Sequence, residues 1–389
     1  RFNTDESMKK GFILWVAVLA SVSIWAESHL QHVTVYSRPN GGYVMVNAQG
    51  GIIGFSDKTN VQDISAYVQD AFKDMGLDVQ PTPQMAPQHI EAMLTAEVTD
   101  SVGPLLGDIE FDQGAPYNNM APVGKNNQRC AAGCVAIAMA QIMAYYQHPK
   151  NGCKDSVNYK TATLNKTVSV NMEGERFDWD NILPTYKDGY TAEQADAVAK
   201  LVYYCGAAVR MDYNVDGSGA NSDNVVSAMR TYFDYDINLQ RVSKDGDGYT
   251  DSKWHELLQS ELKAEYPLYY SSQQKAGSGH AYVCDGYKIT KRMEKYPFYH
   301  MNWGWNGQLD GWFILNELTP GKDNPEGFTD LKYNQSVIYN IRPNGYTPVE
   351  NVVVNQPEND IIYDILGRRV NEMQPGNIYI KNGKKFIAR

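Results

Sequence analysis

The chain has 389 residues, 43% of them hydrophobic and 21% charged. That is the make-up of ordinary globular protein, and it excludes collagen-like, coiled-coil and wholly disordered chains. With 35 basic and 45 acidic residues the formal charge is −10, which gives no electrostatic reason to bind nucleic acid or anionic lipid.

Met8-Lys9-Lys10 followed by the uncharged run Gly11 to Ala26 reads as a secretory signal peptide over 8–26, with Met8 as the initiator. The run is shorter than the roughly 20 residues a membrane-spanning helix needs. Residues 27–96 make a small α+β unit. His32 to Phe55 alternates apolar with polar, and Asn40-Gly41-Gly42 and Gln49-Gly50-Gly51 are turns, so two or three strands are expected. Val61 to Met75 has helical spacing, and the proline-rich run Val79 to Gln88 reads as an exposed linker.

A large domain follows over 97–344. Helices are predicted at Ala132–Tyr146, Ala192–Ala208, Ser222–Phe233 and Lys253–Glu265. Strands are predicted at Pro267–Ser271, His280–Lys288, Tyr296–Asn302, Gly311–Leu315 and Ser336–Ile341. Helices first and strands later indicate an α+β fold with an antiparallel sheet. The tail, 345–389, reads as a small all-β module. Strands are expected at Asn351–Asn355 and Ile361–Ile365, and Asn377–Lys381 and Lys384–Ile387 flank the hairpin signal Asn382-Gly383.

Five cysteines, Cys130, Cys134, Cys153, Cys205 and Cys284, are an odd number for an exported chain. At least one thiol is therefore free, reactive or paired between chains. No cysteine or histidine cluster has zinc spacing, so neither a metal nor another cofactor is expected.

From Cys134 to Tyr145 the one strongly polar side chain is Gln141, so this helix is buried on all sides. Cys134 stands at its start, where free N–H groups and the positive dipole end favour a thiolate. A cysteine in such a place is more often packed than reactive, and the segment alone leaves both readings open. His280 follows Gly277-Ser278-Gly279 at the head of an apolar strand. Glycines there let another segment approach, so His280 suits a general base as well as a structural strand end. The rival histidines are His29, His32, His89, His148, His255 and His300. Asn302-Trp303-Gly304-Trp305 could orient an imidazole and shield it from water, or form a packed surface loop. Gln113 offers an amide for an oxyanion, partnered by the N–H of Cys134.

Gln113, Cys134, His280 and Asn302 stand in the order of papain-like peptidases. The chain more closely resembles the streptopain family of bacterial cysteine peptidases. The matching stretches are DQGAPYN (112–118), AAGCVAIAMAQIMAYYQHP (131–149), FDWDNILPTY (177–186), VRMDYNVDGSGANS (209–222), GHAYVCDGY (279–287) and FYHMNWGWNGQLDGWF (298–313). The resemblance implies a papain-like fold of two subdomains with the cleft between them. It implies Cys134 as nucleophile, His280 as general base and acid, Gln113 as oxyanion donor, and Asn302 or Trp303 as the group orienting His280. The loop bearing Gly217, Ser218 and Gly219 looks like the family's substrate-contacting segment, with Gly279 and Trp305 completing the expected set.

Residues 35–55 resemble the end of the family's propeptide, which implies a leader that keeps the enzyme latent until a cut near Ala96-Glu97. The tail (361–387) is similar to sorting modules of the type IX secretion pathway of Bacteroidetes, which points to interpain-like enzymes. The resemblance thus implies a secreted or surface cysteine endopeptidase zymogen, exported through a Gram-negative periplasm and acting through a thioester. Its expected partners are protein or peptide substrates, its own propeptide and the secretion machinery, with no nucleic acid. A papain-like transamidase or acyltransferase and a non-catalytic surface adhesin are the alternatives.

Overall fold

The computed structural model describes residues 31–58, 60–74, 77–273, 279–292, 294, 296–315 and 334–346. In the tail it describes 362–364, 369–370, 373–374, 378–381 and 384–387. The signal peptide, the strand expected at 351–355 and the Asn382-Gly383 turn lie outside these residues. The chain divides into two compact units, Arg1–Asn344 and Gly345–Arg389.

The first unit is α+β. Its leader part holds β1 (Gln31–Ser37), β2 (Tyr43–Asn47), β3 (Ile52–Ser56), α1 (Ala66–Asp74), β4 (Leu77–Met85) and α2 (Gln88–Leu94). Beyond it come β5 (Val98–Val102), α3 (Cys134–Tyr146), β6 (Ser156–Lys160), β7 (Thr167–Asn171), α4 (Ala192–Ala208), α5 (Asp223–Phe233), β8 (Gln240–Ser243) and α6 (Asp251–Lys263). The series ends with β9 (Leu268–Gln273), β10 (Gly279–Thr290), β11 (Phe298–Asn302), β12 (Gly311–Ile314) and β13 (Ser336–Tyr339).

One sheet of 11 strands runs in the order β4-β1-β2-β3-β12-β11-β10-β9-β13-β8, with β5 paired to β10. The leader is therefore not a separate layer: its strands continue the sheet through β3 and β12, with Trp312 opposite Phe55 and Phe313 opposite Gly54. This seam depends on a glycine at 311, because a Cβ there would lie 2.4 Å from Phe55 O and 2.8 Å from the Tyr43 hydroxyl.

The proline-rich run is a strand and not an exposed linker. Leu77 and Val79 are fully buried, and the run pairs parallel with β1, Pro81 opposite Val35. Proline lacks the N–H that an interior strand must donate, but β4 is an edge strand and only one of its sides is paired. The strands β5, β6, β7 and β8 lay outside the sequence prediction.

Three apolar clusters hold the unit together. The first gathers α3, α4 and α5 against Ala281, Val283, Tyr269 and Ile338 of the sheet. The second joins Val68 and Phe72 of the leader and Trp254 and Leu258 of α6 to Tyr299, Trp303, Trp305 and Phe313. The third covers Phe298, Trp312 and Ile314 with Phe55, Ile90 and Leu94 of the leader. Alternation along β10 sends Ala281 and Val283 into the helical core and Tyr282 and Cys284 into the second.

The second unit carries β14 (Ile362–Asp364), β15 (Arg369–Val370), β16 (Ile378–Lys381) and β17 (Lys384–Ile387) in the antiparallel order β15-β14-β16-β17. Tyr379 is buried, and its hydroxyl accepts the Gln374 N–H at 2.8 Å.

Candidate active site

The chain reaches Cys134 through a laced approach. Ala131 N–H donates to Asn214 O and Ala132 N–H to Gln113 O, each at 3.0 Å. The Ser218 hydroxyl donates to Ala131 O at 2.7 Å. Gly133 then turns the backbone at φ 91, in the left-handed region, where a Cβ would meet Met211 Cε at 2.6 Å. No side chain caps the helix start, so the first N–H groups of α3 stay available around Cys134. Gln141, fully buried, accepts the Phe111 N–H at 3.0 Å and so ties α3 to the stretch leading into Gln113.

His280 stands on β10, on the face that Tyr282 and the tryptophans share. Its Nε2 lies 2.9 Å from Trp303 O. A carbonyl can only accept, so Nε2 carries the proton and Nδ1 of the neutral ring keeps its lone pair. Trp305 stacks on the imidazole, centroids 4.5 Å apart and 17° between planes, and Trp303 stacks next to Trp305 at 5.9 Å.

Both tryptophans are nearly fully buried, so Trp305 stands under His280, away from the described walls of the cleft. The group that holds His280 is the main-chain carbonyl of Trp303, not its indole and not the Asn302 amide. Asn302 acts one bond further back. Its Oδ1 accepts Gly304 N–H, on the same peptide whose carbonyl holds His280, and its Nδ2 donates to Ile109 O at 2.7 Å.

Sequence reasoning missed Asp310. This carboxyl is buried, and its Oδ1 accepts Trp303 N–H at 2.8 Å, which fixes the other side of Trp303. Burial holds it well above the usual carboxylate range. An Asp at the end of a glycine-containing loop gives little sequence signal, because such residues are common in loops.

Cys134 and His280 meet on the walls of one cleft of about 770 Å³, together with Ser218, Gly219 and Gly279. Gln113, Gly217 and Trp305 are not among its described walls. Cys134 is partly exposed. Close packing around its sulfur pushes the thiol up, while the N–H groups of Ala281, Val135 and Cys134 itself pull it down. Burial pushes His280 down to about 4, with Trp303 O opposing. Both shifts favour the uncharged forms of the thiol and the imidazole.

The other described histidines are engaged elsewhere or exposed. His32 faces Asp78, His148 meets Asp234 O, His255 meets the Tyr299 hydroxyl and His300 meets Asp285. His89 is exposed, and His29 lies outside the described residues.

The leader grips the loop behind His280. Phe72 meets Trp303 and Trp305 edge-on, each at 5.4 Å. The Tyr43 hydroxyl donates to Leu309 O at 2.6 Å, the same oxygen that accepts the Trp303 indole N–H. Ser65 N–H donates to Gln308 Oε1 at 2.8 Å. Tyr67 is over half exposed as a residue, yet burial of its hydroxyl, with Asp112 and Cys134 nearby, raises it to about 12.

Residues 111–313 match the model of the peptidase C10 family. Streptopain of Streptococcus pyogenes serotype M1 is 30% identical over 353 residues, covering 84% of each chain. The thiol protease/hemagglutinin PrtT of Porphyromonas gingivalis is 30% identical over 261 residues, which cover 65% of this chain and 29% of that one. Active interpain A of Prevotella intermedia, a cysteine protease, superposes with a TM-score of 0.52 at 31% identity, over 63% of this chain and 96% of that one. Prointerpain A of the same organism superposes with a TM-score of 0.53 at 24% identity, over 80% of this chain and 98% of its own, a likeness of fold. With the family model spanning 111–313 and streptopain matching at this level, the chain is a cysteine-type peptidase with a papain-like fold, and it belongs to the peptidase C10 family.

Proposed function

We propose that the protein is an exported cysteine endopeptidase made as a zymogen, with residues 8–26 as signal peptide and 27–96 as propeptide. Residues 97–344 are the catalytic domain, and 345–389 are a sorting module for the type IX pathway. The observation that carries this reading is the shared cleft: Cys134 at an uncapped helix start and His280 with Nε2 committed to Trp303 O stand on its walls. That arrangement leaves Nδ1 to take the thiol proton.

In the working state His280 Nδ1 accepts that proton, and the sulfur attacks the scissile carbonyl carbon. The carbonyl electrons move to oxygen, where the Cys134 N–H and the Gln113 amide stabilise them. The C–N bond breaks, the imidazolium proton goes to the leaving amine, and a thioester remains. His280 then takes a proton from water, the hydroxide attacks the thioester, and Cys134 leaves as thiolate and is reprotonated. The leader's hold on Leu309, Gln308 and the tryptophans supports its role as regulator of this site, acting from behind His280.

Purified protein cut near Ala96-Glu97 should cleave an unfolded protein substrate, and an epoxysuccinyl thiol-protease inhibitor should stop it. Cys134→Ala should abolish cleavage at a folding cost of about 1 kcal/mol. Retained turnover in that variant, or a dead Cys130→Ala variant beside an active Cys134→Ala one, would overturn the assignment.

A further inference from the structure

We propose that the part of the cleft formed by β13 and β8 is a subsite for an acidic side chain of the substrate, with Arg241 as the residue that reads its carboxylate. The inference rests on the peptidase reading and adds a substrate class to it.

The argument starts from register. Ala281 pairs with Ser271, Ser271 with Ser336, and Ser336 with Ser243. Directly opposed residues share a face of the sheet, so these four form one row across β10, β9, β13 and β8. The row begins at the reaction centre, since Ala281 follows His280 and lines the same cleft as Cys134. At about 4.8 Å per strand it extends roughly 14 Å, the reach of about four residues of extended peptide. Two residues along each of β10, β9 and β13 the same face is apolar core, with Val283, Tyr269 and Ile338. The change from apolar to hydroxyl coincides with the cleft floor, whose walls include all three serines.

Arg241 stands opposite Ile338, one row over from Ser243, and reaches back to the serine row through its guanidinium. It is the only Lys or Arg on the described walls of the cleft. Its Nη2 donates to Ser336 Oγ at 3.0 Å and its Nη1 to Asp223 Oδ1 at 2.7 Å. Its Nε is buried and has no partner. The guanidinium is thus anchored on the floor through Nη2 and already presents Nη1 to a carboxylate.

The carboxylate it holds is replaceable. Asp223 is 62% exposed at the side chain and stands in the first turn of α5. Such an exposed pair contributes little, and the helix start supports Asp223 with or without Arg241. A substrate carboxylate can take its place and use the fork of donors on the guanidinium. A basic substrate side chain has the opposite effect. It would take Asp223 and leave Arg241, with its buried Nε, short of an acceptor.

The test uses the full-length Cys134→Ala chain, whose cleft has no leader residue among its described walls, so binding is read without turnover. Labelled peptides carrying Glu, Gln or Lys at each position in turn are titrated by fluorescence polarisation. At one position Glu should bind at least tenfold more tightly than Gln, and Lys more weakly than Gln, with the Glu advantage shrinking in high salt. Adding Arg241→Gln should bring the Glu-to-Gln ratio to about one. Adding Asp223→Asn, which removes the internal competitor, should raise that ratio, an outcome that loss of structure does not produce.

The proposal is overturned if no position favours Glu by more than threefold, or if the preference survives Arg241→Gln. Cleavage of a reference protein by the wild-type chain, after a cut near Ala96-Glu97, is read separately. Glu preference without cleavage keeps this inference and sinks the peptidase reading. Cleavage without Glu preference does the reverse.

Discussion

Replacing Phe72 with Ala removes the side chain through which the leader touches both tryptophans beneath His280. Phe72 is fully buried and meets each indole edge-on at 5.4 Å. Truncating a buried Phe costs about 3–5 kcal/mol, within which each edge-to-face contact accounts for roughly 0.5–1.5 kcal/mol. The loss falls on leader docking, because the residues on the far side of Phe72 are Trp303 and Trp305. At about 1.4 kcal/mol per factor of ten, 3 kcal/mol raises the undocked population by roughly 150-fold.

The assay is urea unfolding of the full-length chain in a Cys134→Ala background, so that no self-cleavage intervenes. It is followed by tryptophan fluorescence and by hydrogen exchange in β1–β4. The expected result is a lower midpoint and faster exchange throughout these strands. Tyr67→Phe serves as the comparison, since it keeps the ring of a residue that is over half exposed and should cost less than Phe72→Ala. A Phe72→Ala loss below about 1 kcal/mol, or exchange confined to α1, would refute the view that this contact couples the leader to the loop behind His280.

Three further outcomes are expected. Gln113→Ala should still be alkylated at Cys134 but lose about 100- to 1000-fold in turnover, as for one missing oxyanion donor; wild-type rate would remove Gln113 from the site. In the full-length chain Cys134 alkylation should be slow at pH 6 and climb about tenfold per pH unit up to pH 9, because the thiol is held above its ordinary value and His280 stays neutral down to about pH 4. A flat plateau between pH 5 and 8 would instead mean an ion pair with the leader in place. Deleting the tail from Tyr346 should leave catalysis intact and strand the enzyme in the periplasm, checked by cell fractionation; normal export of the shortened chain would end the sorting role.

Much of the helical half was legible because its signals are local. α4 falls on its predicted span, since Thr191 and Gln194 form a reciprocal cap at its start. α3 was readable from an apolar run that only Gln141 interrupts. β4 was not, because two prolines mimic a linker and only its place at the sheet edge makes them acceptable. β6 and β7 do alternate, burying Val157, Tyr159, Val168 and Val170, but they are short and set among polar residues.

At the site, Cys134 and His280 could be singled out by type and setting. The orienting group could not, because the role belongs to a backbone carbonyl and any residue supplies one. Asp310 and Arg241 escaped for a related reason: each takes its meaning from a partner, Trp303 N–H or Ser336, that the fold alone brings near.

The seam between β3 and β12 separates two events that a sequence would treat as one. A cut between Leu94 and Val98 would break the chain, yet the leader would still hydrogen-bond to β12 and fill two apolar clusters. A nicked complex would follow, and the free enzyme would emerge only as this complex opens. The delay between scission and peptidase activity would then be a first-order lag, set by how long β3 stays on β12 and insensitive to how much protease made the cut.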